Sequence, residues 1–168
     1  MKDKNIILIG MPGAGKSTIG VLLAKTINKP FIDTDLLLQQ KEKDFLQNII
    51  RKNGIDGFLS IEESVILETD FKNHVIATGG SVIYSEKSMA HLKKNGIVLY
   101  LDLPLHAIEN RIKNIKSRGI AMEQNQSLQS LYTARKPLYE KYSDFTIDCA
   151  NKDMEDVIME ITSLVNEK

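Results

Sequence analysis

Short apolar runs alternate along this chain with longer stretches in which apolar residues recur every three or four positions. Asn5-Ile-Ile-Leu-Ile9 is a continuous apolar run, which predicts a strand buried on both faces. After Ser17 the apolar residues fall at Ile19, Leu22, Leu23 and Ile27, the spacing of one helix face. The alternation continues to the end of the chain. Strands are predicted at Pro30–Asp33, His74–Thr78, Ile97–Leu101 and Phe145–Asp148. Helices are predicted at Leu36–Ile50, Ile61–Thr69 and Ser85–Lys94, from Pro104 to about Lys113, and at Ser127–Tyr142 and Met154–Val165. Gly96 is expected to stop the helix before it, and Pro137 to bend or restart the one that contains it.

Strands joined by helices predict an α/β fold, a parallel sheet with helices on both faces. In such sheets ligands bind at the carboxyl ends of the strands. Gly10, Asp33, Gly79 and Asp102 each directly follow a predicted strand, so their loops should open on one edge. With 168 residues and no linker-like stretch, the expectation is one domain over 1–168.

Composition narrows the partners. Lys+Arg and Asp+Glu both number 22, so no net field attracts nucleic acid or an anionic membrane, and any anion must be held locally. A single cysteine, Cys149, excludes an internal disulfide and is read as a buried, inert thiol. No stretch reaches the ~18 apolar residues of a membrane span, so a cytoplasmic protein is expected. His74, His91 and His106 share no ligand spacing and receive no metal or catalytic role.

Gly10-x-x-x-x-Gly15-Lys16-Ser17 fills every fixed position of a phosphate-binding P-loop, between a strand and a helix. Backbone N–H groups of Gly13, Ala14 and Gly15, with the helix start through Thr18, are expected to converge on phosphate oxygens. Lys16 should reach the β- and γ-phosphates, and Ser17 should ligate Mg²⁺. Asp33 and Asp35 end the second strand, and strand alternation would point both the same way. One carboxylate could hold Mg²⁺ through its waters and the other accept the proton of an attacking hydroxyl. The alternative is a plain helix cap. Gly79-Gly80 would let a ligand approach the backbone closely, or form a simple turn.

Three arginines stand in the second half of the chain. Arg118 lies in a polar stretch long enough to be a lid, at about residues 112–126, and could neutralise charge on a transferring phosphoryl group. Arg111 could lie over the nucleotide base, and Arg135 could hold an anionic substrate. Taken singly, a solvated surface position is the default reading for each.

Together these residues resemble the shikimate kinase family over nearly the whole chain. Gly10–Ser17, followed by Thr18-Ile-Gly20, matches its Walker A loop, and Asp33-Thr-Asp35 its acidic pair. Ile61-Glu-Glu63 is similar to the end of its Phe-Arg-x-x-Glu segment, and Thr78-Gly-Gly80 to its triple-glycine motif. Arg118 looks like the lid arginine, and Arg135–Tyr139 like its Arg-x-Pro-Leu-Tyr signature. The resemblance implies a three-layer P-loop kinase fold whose five strands are ordered 2-3-1-4-5. It implies ATP with Mg²⁺ and phosphorylation of the shikimate 3-hydroxyl. Catalytic roles would fall on Lys16, Asp35 and Arg118, and metal binding on Ser17 and Asp33. Arg111 would lie near adenine, while Gly79, Gly80 and Arg135 would join Asp35 at the acceptor.

Three positions depart from the family pattern, all on the acceptor or lid side. Leu59 stands where the family places an arginine, Ser81 replaces the third glycine, and the lid reads Arg118-Gly-Ile. The phosphoryl donor end is therefore better defined than the acceptor. A relative acting on another hydroxylated metabolite, a nucleotide-binding protein without kinase activity, and a nucleotide monophosphate kinase are the alternatives. The expected partners are ATP and a small metabolite, bound by a monomer.

Overall fold

The computed structural model describes residues 4–112, 119–123 and 125–166. The elements in chain order are β1 (Asn5–Ile9), α1 (Lys16–Thr26), β2 (Phe31–Asp33), α2 (Thr34–Glu42), α3 (Leu46–Leu67), β3 (Val75–Ala77) and α4 (Glu86–Lys94). They continue with β4 (Gly96–Asp102), α5 (Leu105–Arg111), α6 (Leu128–Tyr142), β5 (Phe145–Asp148) and α7 (Met154–Asn166). The strands form one parallel sheet in the order β2-β3-β1-β4-β5, as expected.

The central strand shows why the apolar run becomes β1. Ile7 pairs with Ile76 of β3 on one side and with Val98 of β4 on the other. Ile6, Ile7, Leu8 and Ile9 are all fully buried. Each such burial is worth about 1.5–3 kcal/mol, which only a strand covered on both faces collects for consecutive residues. Helix α1 packs on α7 and β3, and α3 packs on α4, so side chains from both layers close over the sheet. A smaller second cluster gathers Leu38, Ile49, Phe58, Val65 and Ala121 around the α2–α3 pair. Among the described residues no helix is long and apolar enough to cross a membrane.

Some boundaries differ from the expectation. The helix expected at Leu36–Ile50 breaks after Glu42, where Lys43 takes φ 53°. There the Asp44 carboxylate accepts from the Phe45 N–H, Asn48 Nδ2 and Lys52 Nζ at 2.9, 2.6 and 2.6 Å. This set of local bonds competes with continued helix. From Leu46, α3 runs through the expected helix at Ile61–Thr69, turning at Gly54 (φ 68°, ψ −179°). Gly96 follows the C-cap Asn95 of α4, where the helix was expected to stop, but without a left-handed φ, and it also opens β4. A Cβ there would collide with Ile7 and lie 2.8 Å from the Leu92 carbonyl. Pro137 does not restart α6, which is continuous. Burial of Leu131, Arg135 and Tyr139 outweighs the ~3 kcal/mol helix penalty of proline. Strand β2 ends at Asp33 and α2 starts at Thr34, so strand alternation does not relate Asp33 to Asp35.

Candidate active site

A cavity of about 690 Å³ opens at the carboxyl ends of the strands. Pro12–Ile19 form its floor, and Thr78–Ser81, Asp35 and Phe58 one wall. Gly119–Ala121 and Arg135 border it, with Arg111, Cys149 and Lys152–Met154 at the far end. Gly13, Ala14, Gly15, Lys16, Ser17, Thr18, Asp35, Gly79, Gly80, Arg111 and Arg135 thus all face one space. Arg118 and the rest of residues 113–118, with residue 124, lie outside the described residues, so the expected lid is described only in part.

The loop between β1 and α1 has the conformation its glycines permit. Gly15 caps α1 at φ 98°, a left-handed value that a side chain would strain. Lys16 is buried and donates to the carbonyls of Gly10 at 2.8 Å and Met11 at 2.9 Å. Burial lowers its ammonium pKa to about 8, with the Arg135 charge adding to that effect and those of Asp35, Asp33 and Glu62 opposing it. Ser17 lies exposed at the start of α1 and donates to Asp33 Oδ2 at 2.6 Å. Asp33 Oδ1 accepts from the Asp35 N–H at 3.0 Å. One Asp33 oxygen therefore caps α2 while the other meets Ser17, so the cap does not occupy both.

Asp35 sits in the first turn of α2, facing the cavity. Burial, followed by the neighbouring Asp33 charge, raises its pKa to about 6, while Lys16 pulls it down. Arg111 Nη1 reaches the Ala14 carbonyl at 3.4 Å, which lays its side chain over the phosphate loop. Arg135 is 1% exposed. Its Nη2 donates to the Ala121 carbonyl at 2.7 Å and its Nε to Tyr84 Oη at 3.3 Å. The guanidinium also stacks 5.3 Å from the Tyr84 ring centre. Nη1 lies 3.0 Å from where a Gly80 Cβ would stand, so a side chain at Gly80 would press on it. Tyr139 Oη donates to the Gly80 carbonyl at 2.6 Å and fixes that wall.

Glu62 was matched only as part of the Ile61–Glu63 segment, and the fold makes it a prominent group. It is 4% exposed, and its Oε2 accepts from Ser81 Oγ at 2.8 Å. Its Oε1 is buried with no hydrogen-bond partner. A Cβ at Gly79 would collide with Glu62 Oε1 and lie 2.7 Å from Asp35 Oδ1, so the two carboxyls flank one backbone position. Burial raises the Glu62 pKa to about 7, and the Asp35 charge adds to it. The Ser81 bond and the Arg135 and Lys16 charges oppose the rise. The sequence did carry a signal: Glu62 shares the helical spacing of Phe58, Val65 and Ile66, all buried. A carboxylate on an apolar face is worth asking about.

A stability prediction follows from that raised pKa. The folded state binds the Glu62 proton more tightly than the unfolded chain. The resulting stabilisation is fully present below the ordinary value of 4.5 and is lost as pH rises through about 7. At pH 8 the buried carboxylate should therefore cost on the order of 3 kcal/mol. Glu62→Gln should raise Tm at pH 8 by roughly 5 °C or more, with the gain gone at pH 4.5. Equal melting shifts at both pH values would show that Glu62 ionisation is not the cause.

Leu59 does not line the large cavity. It is half-buried, packs on the second cluster, and borders a side cavity of about 190 Å³ shared with Glu62, Ser81 and Tyr84.

This geometry has close counterparts among known proteins. A profile of the shikimate kinase family matches residues 12–166. Shikimate kinases from Caldanaerobacter subterraneus subsp. tengcongensis and Thermodesulfovibrio yellowstonii are similar at 35% and 37% identity. The matches cover 94% of this chain in both cases, and 94% and 92% of those proteins. A solved shikimate kinase from Acinetobacter baumannii in complex with shikimate superposes with a TM-score of 0.90 at 34% identity. That superposition covers 98% of this chain and 93% of that one. With the profile spanning nearly the whole chain and the sheet order, phosphate loop and acidic pair in place, the chain belongs to the shikimate kinase family, whose members transfer a phosphoryl group to a hydroxyl.

Proposed function

We propose that this protein transfers the γ-phosphoryl group of ATP to the 3-hydroxyl of shikimate, as a monomer in the cytoplasm. The observation that carries the reading is the single cavity that joins the phosphate loop, Asp35 and Arg135. The loop end takes the nucleotide phosphates. Arg135, the one guanidinium buried at the other end among the described residues, takes the acceptor carboxylate. Asp35 lies between them, and its raised pKa of about 6 suits a group that accepts a hydroxyl proton near neutral pH.

Lys16 carries positive charge to the phosphates from a buried position, where it acts through low dielectric. Arg111 lies at the nucleotide end. Arg118, on a lid at about 112–126, is assigned to charge neutralisation from its sequence position alone. Ser17 Oγ and Asp33 Oδ2, 2.6 Å apart at the phosphate edge, are hard oxygen donors suited to Mg²⁺ and its waters. When bound there, Mg²⁺ would neutralise phosphate charge. Among the described residues no group of three or more His, Cys, Asp or Glu is placed to hold a metal ion.

The test is an ATP-coupled assay with shikimate, with the product identified by mass. Turnover to a singly phosphorylated shikimate is expected. Absence of turnover at millimolar shikimate, with turnover of another hydroxylated metabolite, would overturn the acceptor. Leu59 gives that second reading its specific support, because the side cavity next to Glu62 contains no cation contributed by residue 59. Leu59→Arg would add a guanidinium there. It should lower the KM for shikimate about tenfold or more, the value of a charge-assisted hydrogen bond, and leave the KM for ATP unchanged. An unchanged shikimate KM would show that a cation at residue 59 does not reach the acceptor.

A further inference from the structure

Gly119 lies directly against the first turn of α3. Its φ is +60°, a left-handed value. A Cβ there would stand 2.6 Å from Leu46 Cβ, 2.7 Å from Gln47 N and 3.1 Å from the Leu46 carbonyl carbon. Those are backbone atoms and a side-chain root, which no rotamer change can move away. Any larger residue must lift the segment off the helix.

Two residues on, that segment does something specific. Ala121 is buried within the second cluster, against Leu38, Ile49, Phe58 and Val65. Its carbonyl accepts from Arg135 Nη2 at 2.7 Å, the shortest hydrogen bond that the guanidinium makes among those described. With Nη2 held there and Nε on Tyr84 Oη, the fork is fixed with Nη1 beside Gly80 at the cavity wall. Gly119 lies flush on Leu46 and Gln47 two residues before that carbonyl.

We propose that Gly119 is a positioning residue for acceptor binding: its lack of a side chain seats Ala121 so that the carbonyl aims the Arg135 guanidinium into the cavity. This rests on Arg135 as the anchor of the acceptor. A misplacement of about 1 Å at a substrate-orienting group is enough to matter, since such geometry carries large rate and binding factors. None of these contacts is made by a phosphate-loop residue, so the nucleotide KM is expected to respond far less than the acceptor KM.

The experiment is a double-mutant cycle on kinetics with shikimate and ATP, using Gly119→Ala, Arg135→Lys and both together. Gly119→Ala is expected to raise the shikimate KM about tenfold, with the ATP KM within twofold of the parent. In the Arg135→Lys background the same change should add no more than about twofold, because the group it acts through is already altered. Gly119→Asn tolerates a left-handed backbone and keeps only the steric part, so it serves if the alanine variant does not fold. An unchanged shikimate KM in a folded Gly119 variant overturns the proposal, as does a full tenfold effect in the Arg135→Lys background. An Arg135→Lys enzyme with normal shikimate KM would instead overturn Arg135 as the anchor.

Discussion

Lys16→Met should leave a folded protein whose kcat falls about 10³-fold or more. The methionine keeps most of the buried volume, but the ammonium disappears from the floor of the phosphate site. Two consequences separate this loss from simple unfolding. The carbonyls of Gly10 and Met11 lose their donor, so a modest loss of stability, on the order of 1–3 kcal/mol, accompanies the catalytic loss. Asp35 also loses the cation that holds its pKa down, and it should titrate above its present value of about 6. A variant that retained more than a tenth of parental kcat would show that the phosphates are held by backbone alone.

Asp35→Asn should lower kcat about 10²–10⁴-fold, the usual worth of a positioned general base, while nucleotide affinity stays near that of the parent. The pH profile of kcat/KM gives the independent check. In the parent, activity should fall as pH drops below about 6, where Asp35 takes up its proton. It should fall again above about 8, where buried Lys16 in the free enzyme loses its charge. The result is a bell between those limits. Bound phosphates stabilise the ammonium, so the alkaline limb should weaken in kcat. Asp35→Asn should remove the acid limb and retain the alkaline one. An acid limb that survives the substitution would assign it to another group, with Glu62 the first to examine, since burial and the Asp35 charge put it at about 7.

The two acceptor-side departures, Leu59 and Ser81, meet in one place. Ser81 Oγ bonds the buried Glu62, and Leu59 borders the same side cavity. A serine hydroxyl satisfies one carboxylate oxygen without adding charge. A guanidinium would neutralise the carboxylate and leave donors for an anionic acceptor. The Leu59→Arg and Glu62→Gln variants therefore probe one electrostatic feature from opposite sides.

What the sequence determined by itself was local. The phosphate loop needs only eight consecutive residues, Gly10 to Ser17, with a strand before and a helix after, because its binding groups are backbone N–H groups within one turn. The parallel sheet was legible because a fully buried strand is apolar along its whole length, as β1 is after Asn5, and β1 and the partly exposed edge strand β5 both kept their expected limits. A boundary failed where side-chain chemistry outbid periodicity, as at Asp44, and packing outbid propensity at Pro137, where α6 continues instead of restarting. The surroundings of Arg135, Glu62 and Gly119 were decided only in three dimensions. Arg135 looked no different from a surface arginine until α6 placed it against Tyr84 and the Ala121 carbonyl, 51 and 14 residues away in sequence. Glu62 and Asp35 became neighbours only across Gly79. Gly119 gained its meaning from a helix turn more than 70 residues earlier in the chain. Burial, and the pKa values that burial shifts, belong to contacts between distant segments, and no local pattern of residues encodes them.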